Sequence, residues 1–283
     1  MKEKTIGVLG CGIMGSGIVT TCVKAGFKTW VREISKELLE SGMEKINKIL
    51  DQDINKGNMT NGEKKDILSR IKRTTELKEL KECEFVIEAI VEDIEVKKQI
   101  FKELGEVCLP DAVLASNTSS YSITELASVT KFPGRVVGFH FFYPVPIMKL
   151  VEIVKTELTS ESAVKKSLEL VEELKKDAII VSDKPGFVVN RLLVPYFLDS
   201  IRALEEGLAS VEDIDKGMME GAGFAIGPFR LLDHIGLDTI YYIANSFYNE
   251  FKERRFAPPP LLKRMVMAGH LGRKTGKGFY TYK

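Results

Sequence analysis

The order of apolar and polar residues divides the chain into two parts with different patterns. In the first part, short apolar runs alternate with longer amphipathic stretches. The runs span residues 5–9, 27–31, 85–88, 113–115 and 135–139. Such runs predict buried strands, and the stretches between them have the period of helices. Strands that alternate with helices indicate a parallel sheet covered on both faces, so we expect a doubly wound α/β fold.

Residues 36 to about 73 depart from this alternation, because they are charge-dense and helical in period throughout. Glycine and asparagine near residues 57–62 interrupt them, which predicts an excursion of two helices joined by a turn. After Asp183-Lys184-Pro185-Gly186 the pattern becomes helical. The predicted helices span residues 187–208, 211–220, 237–251 and 261–268. We therefore place a boundary at residue 184, between a sheet domain (1–184) and an all-helical C-terminal domain (185–283).

Composition narrows the classes of function. Lys and Arg total 41 against 40 Asp and Glu, a net charge of +1, so nothing favours a nucleic-acid partner. The four cysteines form no C-x-x-C pair, which suits reduced thiols in the cytoplasm better than disulfides. The first residues show no signal-peptide pattern, and no apolar run reaches membrane-spanning length. We expect a soluble cytoplasmic protein with no membrane partner and no metal site.

The first motif with a chemical meaning is Gly10-Cys11-Gly12-Ile13-Met14-Gly15, which follows a predicted strand and opens a helix. In a G-x-G-x-x-G loop the first glycine allows the tight turn. The second lets the backbone approach a pyrophosphate, and the third lets helix and strand pack closely. The helix N-terminus then presents N–H groups and a positive dipole end. The motif predicts a Rossmann-type dinucleotide site; the alternative is three glycines in an ordinary turn.

Glu33 ends the second predicted strand and bears on the choice of dinucleotide. It lies 23 residues after Gly10, close to the spacing of a carboxylate that binds a ribose. A carboxylate there accepts hydrogen bonds from the ribose hydroxyls and repels a 2′-phosphate, which favours NAD. Arg32 could pair with that phosphate, so NADP stays open as the alternative.

The segment from Gly138 to Glu152 holds the strongest candidate for catalysis. His140, one of three histidines, ends an apolar run, and a second run, residues 150–154, follows a proline-rich turn. If the runs pair as antiparallel strands about Pro146, His140 and Glu152 face each other with Cβ atoms about 5 Å apart. A carboxylate that orients an imidazole makes a general base. The alternative is a buried histidine satisfied by a neighbouring glutamate, and these residues alone favour neither.

Two further polar segments are candidates for ligand contacts. Ser116-Asn117-Thr118-Ser119-Ser120 follows a predicted strand at the carboxyl edge, where doubly wound sheets bind ligands. Capping of the next helix by Ser120 or Ser122 is the alternative. Asn190 lies one turn into an otherwise apolar helix, so its amide satisfies a backbone group or reaches a ligand.

Together these segments resemble the 3-hydroxyacyl-CoA dehydrogenase family, and its short-chain bacterial members most closely. The resemblance runs from Thr5 to the C-terminus. Besides the glycine loop and the His140 segment, it rests on residues 115–120, 185–191, 227–228, 235–238 and 271–280. It implies an NAD-dependent oxidation of (3S)-hydroxyacyl-CoA to 3-oxoacyl-CoA, and the reverse reduction. It also implies a substrate cleft between the domains and a homodimer formed through the helical domain.

The resemblance assigns a role to each candidate residue. His140 would be the catalytic acid–base and Glu152 its orienting partner, while Ser119 and Asn190 would hydrogen-bond the substrate oxygen. The family's cofactor contacts fall on Gly10, Gly12, Ile13, Met14, Gly15, Glu33, Glu92, Lys97, Ser119 and Lys274. Without the resemblance, Glu92 and Lys97 would be interpreted as solvated helix charges. Lys56 would meet a CoA phosphate or else be an ordinary surface lysine.

The chain departs from the family pattern at one important position. After His-Phe-Phe the family usually has Asn before Pro, and here Tyr143 stands there. A bulkier phenol beside the catalytic histidine would narrow the site toward short acyl chains. Two other classes remain open: a dehydrogenase of a free 3-hydroxy acid, which commonly uses a lysine base, and a non-catalytic NAD-binding protein.

Overall fold

The computed structural model describes residues 4–282, which form two compact units. The first unit ends at Lys184 and the second begins at Pro185. Each unit has its own hydrophobic core. The core of the first lies between the sheet and its helices, whereas that of the second lies among helices alone.

One sheet of eight strands organises the first unit. The strands are β1 (Thr5–Leu9), β2 (Lys28–Arg32), β3 (Ile71–Thr74), β4 (Phe85–Glu88), β5 (Val113–Ser116), β6 (Val136–Phe141), β7 (Leu150–Lys155) and β8 (Asp177–Ser182). Their order is β3-β2-β1-β4-β5-β6-β7-β8. The strands from β3 to β6 in this order pair in parallel, β7 is antiparallel to β6, and β8 is parallel to β7. The predicted doubly wound sheet of the Rossmann type is confirmed.

The central strands are buried on both faces, which is why their sequences are continuous apolar runs rather than alternating ones. Every residue of β4, β5 and β6 is buried. The strand order reverses between β1 and β4. Doubly wound sheets bind ligands at such a switch point, outside the carboxyl ends of the strands. A ligand site is therefore expected at the residues that follow β1, β4, β5 and β6.

Helices connect the strands of the first unit. They are α1 (Ile13–Lys24), α2 (Lys36–Asn55), α3 (Asn61–Ser69), α4 (Ile94–Val107), α5 (Ile123–Ser128) and α6 (Glu161–Glu173). α2 and α3 form an excursion between β2 and β3. Thr60 and Glu63 cap α3 reciprocally, since each side chain accepts from the other residue's backbone N–H.

Two strands differ from the prediction made from sequence. β3 occupies the end of the segment predicted to be helical through residue 73, so that part of the prediction was wrong. Lys72 and Arg73 are exposed, so this short edge strand is as rich in charged residues as the surface of the helix before it. β8 was not predicted at all. It contains a continuous apolar run, residues 178–181, but only Val181 is fully buried because the strand lies at the edge of the sheet.

The second unit is helical, as predicted. Its helices are α7 (Val189–Glu205), α8 (Val211–Lys216), α9 (Pro228–Ile235), α10 (Leu237–Phe251) and α11 (Pro260–Met267), and a π-helical turn, Gly217–Gly221, continues α8. α9 was missed because its flanking glycines, Gly227 and Gly236, suggest a loop. Among the described residues, none of the helices combines the length and apolar character needed to cross a membrane.

Candidate active site

The loop between β1 and α1 has the geometry that a dinucleotide pyrophosphate requires. Gly10 has a φ of +85°, and a Cβ on Gly15 would collide with the Gly10 carbonyl. A Cβ on Gly12, by contrast, would meet nothing within 4 Å, so this glycine faces open space. Gly12 is the N-cap of α1, and because glycine has no side chain, no side-chain hydrogen bond caps this end of the helix. The N–H groups at this helix end are therefore available to an anionic ligand.

Glu33 lies against the same loop. Its Oε1 accepts a hydrogen bond of 2.5 Å from the backbone N–H of Cys11, and its Oε2 accepts one of 3.2 Å from Ile34. This anchors a carboxylate at the end of β2, where an adenosine ribose lies in Rossmann-type sites. The Arg32 guanidinium donates to the Thr75 carbonyl instead (3.4 Å). The residues around this loop fit NAD.

Cys11 lies within the glycine loop but is not a nucleophile. Burial and the nearby Glu33 carboxylate raise the pKa of its thiol to about 12. The neutral thiol packs against Gly42 of α2, where a Cβ would overlap the sulfur. Cys11 thus explains why a glycine stands at position 42, and it contributes packing rather than chemistry.

A buried ion-pair cluster occupies the carboxyl end of β4. The Lys97 ammonium lies 2.5 Å from Glu88 Oε1 and 3.1 Å from Glu92 Oε2. Lys97 is 1% exposed and Glu88 is fully buried, whereas the Glu92 side chain is 37% exposed. The interpretation of Lys97 as a solvated helix charge is therefore wrong, because its ammonium is turned toward the end of the sheet. Glu92 precedes α4 rather than belonging to it.

The loop after β5 is tied to this cluster. Ser116 Oγ donates to Glu88 Oε2 at 2.6 Å, and Thr118 Oγ1 donates to Glu92 through a very short hydrogen bond. Ser119 follows directly, with its hydroxyl 3.3 Å from that of Ser120. Helix capping falls to Ser122, whose hydroxyl accepts from the Glu125 N–H. The carboxylates of Glu88 and Glu92 thus hold the loop that carries Ser119.

His140 and Glu152 are paired across β6 and β7. The predicted antiparallel pairing is confirmed, with His140 directly opposite Glu152 in the register. His140 Nδ1 lies 2.7 Å from Glu152 Oε2, and the two residues are 5% and 0% exposed. This contact holds the imidazole ring against the carboxylate. Asn117 links this strand to the β5 loop, since its Oδ1 accepts from the Phe141 N–H at 2.9 Å.

Lys176 holds the turn between β6 and β7. Its ammonium donates to the carbonyls of Val145 (2.7 Å) and Met148 (2.6 Å). Burial lowers the pKa of this lysine from its usual value. The turn also packs on α1, because a Cβ on Gly17 would lie 2.9 Å from Val145. Lys176 was missed in the sequence, where it looks like one more charge at the end of an amphipathic helix.

The remaining predicted residues lie elsewhere. Asn190, half-buried, is the second residue of α7 in the second unit. Lys274, in the same unit, forms hydrogen bonds of 2.5 and 2.6 Å with both carboxylate oxygens of Asp238. Lys56 is the exposed C-cap of α2. The first unit therefore brings together Ser119, His140 and Glu152 with the glycine loop at one edge of its sheet.

A glycine loop, a carboxylate at the end of β2 and a buried His–Glu pair at the same edge of a doubly wound sheet define a nicotinamide-dinucleotide-dependent oxidoreductase. Family comparisons make the assignment specific. Residues 5–184 match the model described as 3-hydroxyacyl-CoA dehydrogenase, NAD binding domain, and residues 186–282 match its C-terminal domain. The chain belongs to the 3-hydroxyacyl-CoA dehydrogenase family, which confirms the resemblance found in the sequence.

Individual relatives are similar over their whole length. The 3-hydroxybutyryl-CoA dehydrogenase of Mycobacterium tuberculosis is 48% identical over 279 residues, covering 98% of each chain. That of Clostridioides difficile is 43% identical over 277 residues, covering 98% of this chain and 99% of the relative. The crystal structure of (S)-3-hydroxybutyryl-CoA dehydrogenase from Ralstonia eutropha superimposes with a TM-score of 0.95, at 41% identity and full coverage of both chains.

Proposed function

We propose that this chain oxidises (3S)-3-hydroxybutyryl-CoA to acetoacetyl-CoA with NAD and catalyses the reverse reduction. The observation that carries the proposal is the 2.7 Å contact between His140 and Glu152, at the sheet edge that also carries the glycine loop. The names of the relatives supply the substrate class. A dehydrogenase of a free 3-hydroxy acid that used a lysine base would have no need of this pair.

His140 exchanges the proton in this mechanism. Because Glu152 engages Nδ1, the other ring nitrogen, Nε2, removes the proton of the substrate hydroxyl during oxidation. In the reduction the same nitrogen returns the proton to the developing alkoxide. Glu152 stabilises the imidazolium that forms and keeps the ring in the right tautomer. NAD, when bound, supplies the hydride acceptor.

The other candidate residues bind and orient. The Ser119 hydroxyl and the Asn190 amide hydrogen-bond the substrate oxygen at the reacting carbon, and Lys56 meets a phosphate of CoA. The backbone of Gly10, Gly12, Ile13, Met14 and Gly15 holds the pyrophosphate, and Glu33 holds the adenosine ribose. Glu92, Lys97, Ser119 and Lys274 complete the contacts with the cofactor. The exposed part of Glu92 supports its inclusion in this set.

One assay separates this proposal from its two alternatives. Purified protein is mixed with NADH or NADPH and with either acetoacetyl-CoA or free acetoacetate, and the loss of reduced-nicotinamide absorbance is followed. We expect turnover with NADH and acetoacetyl-CoA only. Turnover of free acetoacetate at a comparable kcat/KM would replace the proposal by the free-acid dehydrogenase. Binding of NADH without turnover of either substrate would replace it by a non-catalytic role.

We also propose a cytoplasmic homodimer formed through the helical unit. Several large apolar side chains of this unit are exposed, and a homodimer interface would cover such side chains. They include Leu192, Leu208, Tyr242 and Met267. Sedimentation equilibrium of the purified protein should give twice the mass of the chain, and a monomer at micromolar concentration would refute the dimer.

A further inference from the structure

We propose that Glu88 is an electrostatic positioning residue, whose buried carboxylate strengthens the binding of NAD⁺ relative to that of NADH. Glu88 has no role among the candidate residues derived from the sequence. The proposal rests on the proposed NAD-dependent function. It adds that the Glu88–Lys97–Glu92 cluster has a net negative charge and lies near the nicotinamide half of the bound cofactor.

Both carboxylate oxygens of Glu88 accept hydrogen bonds. Oε1 accepts from Lys97 Nζ at 2.5 Å and from the Ile90 N–H at 2.9 Å, while Oε2 accepts from Ser116 Oγ at 2.6 Å. Glu88 is fully buried, and all three of these partners donate. Burial without such donors would be costly for a charged acid, so the surroundings are built for the carboxylate form.

The charges of the cluster do not cancel. Glu88 and Glu92 share the single ammonium of Lys97, so the three residues together carry one negative charge. Glu92 makes its other contact with the neutral hydroxyl of Thr118. Lys98, the next cation on α4, is committed to Glu95 and Glu125 instead. The cluster therefore keeps its excess charge at the end of the sheet.

The topology of the sheet relates this charge to the cofactor. The glycine loop after β1 takes the pyrophosphate, and Glu33 at the end of β2 takes the adenosine half. The nicotinamide half then lies on the other side of the switch point, over β4 and β5. Glu88 ends β4 and its partner Ser116 ends β5, with the two directly paired in the register.

The two redox states of the cofactor respond differently to such a charge. The oxidised nicotinamide ring is cationic, whereas the reduced ring is neutral. A negative charge in a site of low effective dielectric therefore strengthens the binding of NAD⁺ and leaves that of NADH nearly unchanged. Glu88 acts on the bound ring through the field of the cluster and through the loop that it fixes, without needing to touch it.

The test compares the dissociation constants of NAD⁺ and NADH in the absence of substrate. Glu88→Gln keeps the size of the side chain and removes one negative charge. We expect the ratio Kd(NAD⁺)/Kd(NADH) to rise about three- to tenfold, as removal of a unit charge from a partly desolvated site implies. Glu173→Gln is the matched control, because this carboxylate is exposed and paired with Lys4; it should leave the ratio unchanged.

A merely structural role gives a different result. If Glu88→Gln weakens both cofactors by the same factor, or changes neither, the proposal is overturned. The double variant Glu88→Gln/Lys97→Met restores one net negative charge, through Glu92, so the ratio should return toward the wild-type value. A double variant whose ratio stays at that of Glu88→Gln would also overturn the proposal.

Should Glu88→Gln fail to fold, Glu92→Gln makes the same change of charge at a half-exposed position and should raise the ratio in the same direction. An unchanged ratio there would overturn the proposal. The dehydrogenase function is tested separately. It fails if the wild-type protein binds neither cofactor or does not turn over acetoacetyl-CoA, whereas this inference fails on the ratio alone.

Discussion

His140 and Glu152 stand opposite each other in adjacent antiparallel strands, with Nδ1 of the imidazole 2.7 Å from Oε2 of the carboxylate. Each lies six residues from Pro146, the centre of the connecting turn. The strand register therefore sets the pair, and it does so in a buried environment where a charged hydrogen bond is strong. The same register places both groups at the edge of the sheet that bears the glycine loop.

Glu152→Gln should test the orienting role of the carboxylate. An amide of the same shape preserves the packing but no longer stabilises an imidazolium, and it can select the wrong tautomer. We expect kcat to fall about 10²- to 10⁴-fold, because general acid–base catalysis contributes about that much and loss of the orienting carboxylate impairs it. Steady-state kinetics with acetoacetyl-CoA measure this. Glu157→Gln, at an exposed position after β7, is the control, and an equal loss in both variants would contradict the role.

Lys176→Met should loosen the turn that joins the two strands of the pair. The variant leaves the carbonyls of Val145 and Met148 without their donor. We expect the free energy of unfolding to fall by about 1–3 kcal/mol, the cost of an unsatisfied polar group, together with a loss of kcat. Urea denaturation measures the first effect. Lys175→Met, at the exposed neighbouring position, should change neither, and equal behaviour of the two variants would contradict the prediction.

Tyr143→Asn should broaden the range of acyl chains. Tyr143 follows β6 three residues after His140, and the tyrosine is 60% exposed. We propose that the phenol takes up space that a longer acyl chain would need, whereas asparagine is smaller. Values of kcat/KM for chains of four, eight and twelve carbons, measured in both proteins, decide the matter. We expect the preference for the shortest chain to decrease, and an unchanged preference would reject the role of Tyr143.

The four thiols should be unreactive in the folded protein. Burial raises the pKa of Cys11, Cys22 and Cys83 to about 12 and that of Cys108 to about 11. At pH 8 each is thus almost entirely in the neutral form, which is a poor nucleophile. A thiol-specific disulfide reagent should modify none of them in buffer and all of them after unfolding in guanidinium. Rapid modification of any one in the folded state would contradict this prediction.

The sequence predicted the parts of the fold in which burial is complete. The runs that became β4, β5 and β6 are buried at every position, so they stand out against their surroundings. β3 was missed because this edge strand shows charged side chains to solvent, whereas β8 was missed although it contains an apolar run at residues 178–181. A four-residue strand such as β3, with Lys72 and Arg73 exposed, has no period that separates it from the helix before it.

The same contrast applies to the site. The His140–Glu152 pairing followed from sequence because a symmetrical turn fixes which residues face each other. The Glu88–Lys97 pair did not, because its members lie nine positions apart, on a strand and a helix whose relative orientation only the folded chain defines. A glutamate that ends an otherwise apolar strand, as Glu88 does, was the one available signal. A buried carboxylate at such a position is costly unless a cation or hydrogen-bond donors lie beside it.

Replacement of the histidine itself tests the central claim most directly. His140→Gln is compared with wild type for turnover of acetoacetyl-CoA and for the Kd of NADH, with His234→Gln, an exposed histidine on α9, as the control. We predict that kcat falls by about 10²- to 10⁴-fold in His140→Gln, as expected for loss of a general acid–base, while NADH binds as in wild type. Turnover within a few fold of wild type would contradict the proposed role of the His140–Glu152 pair.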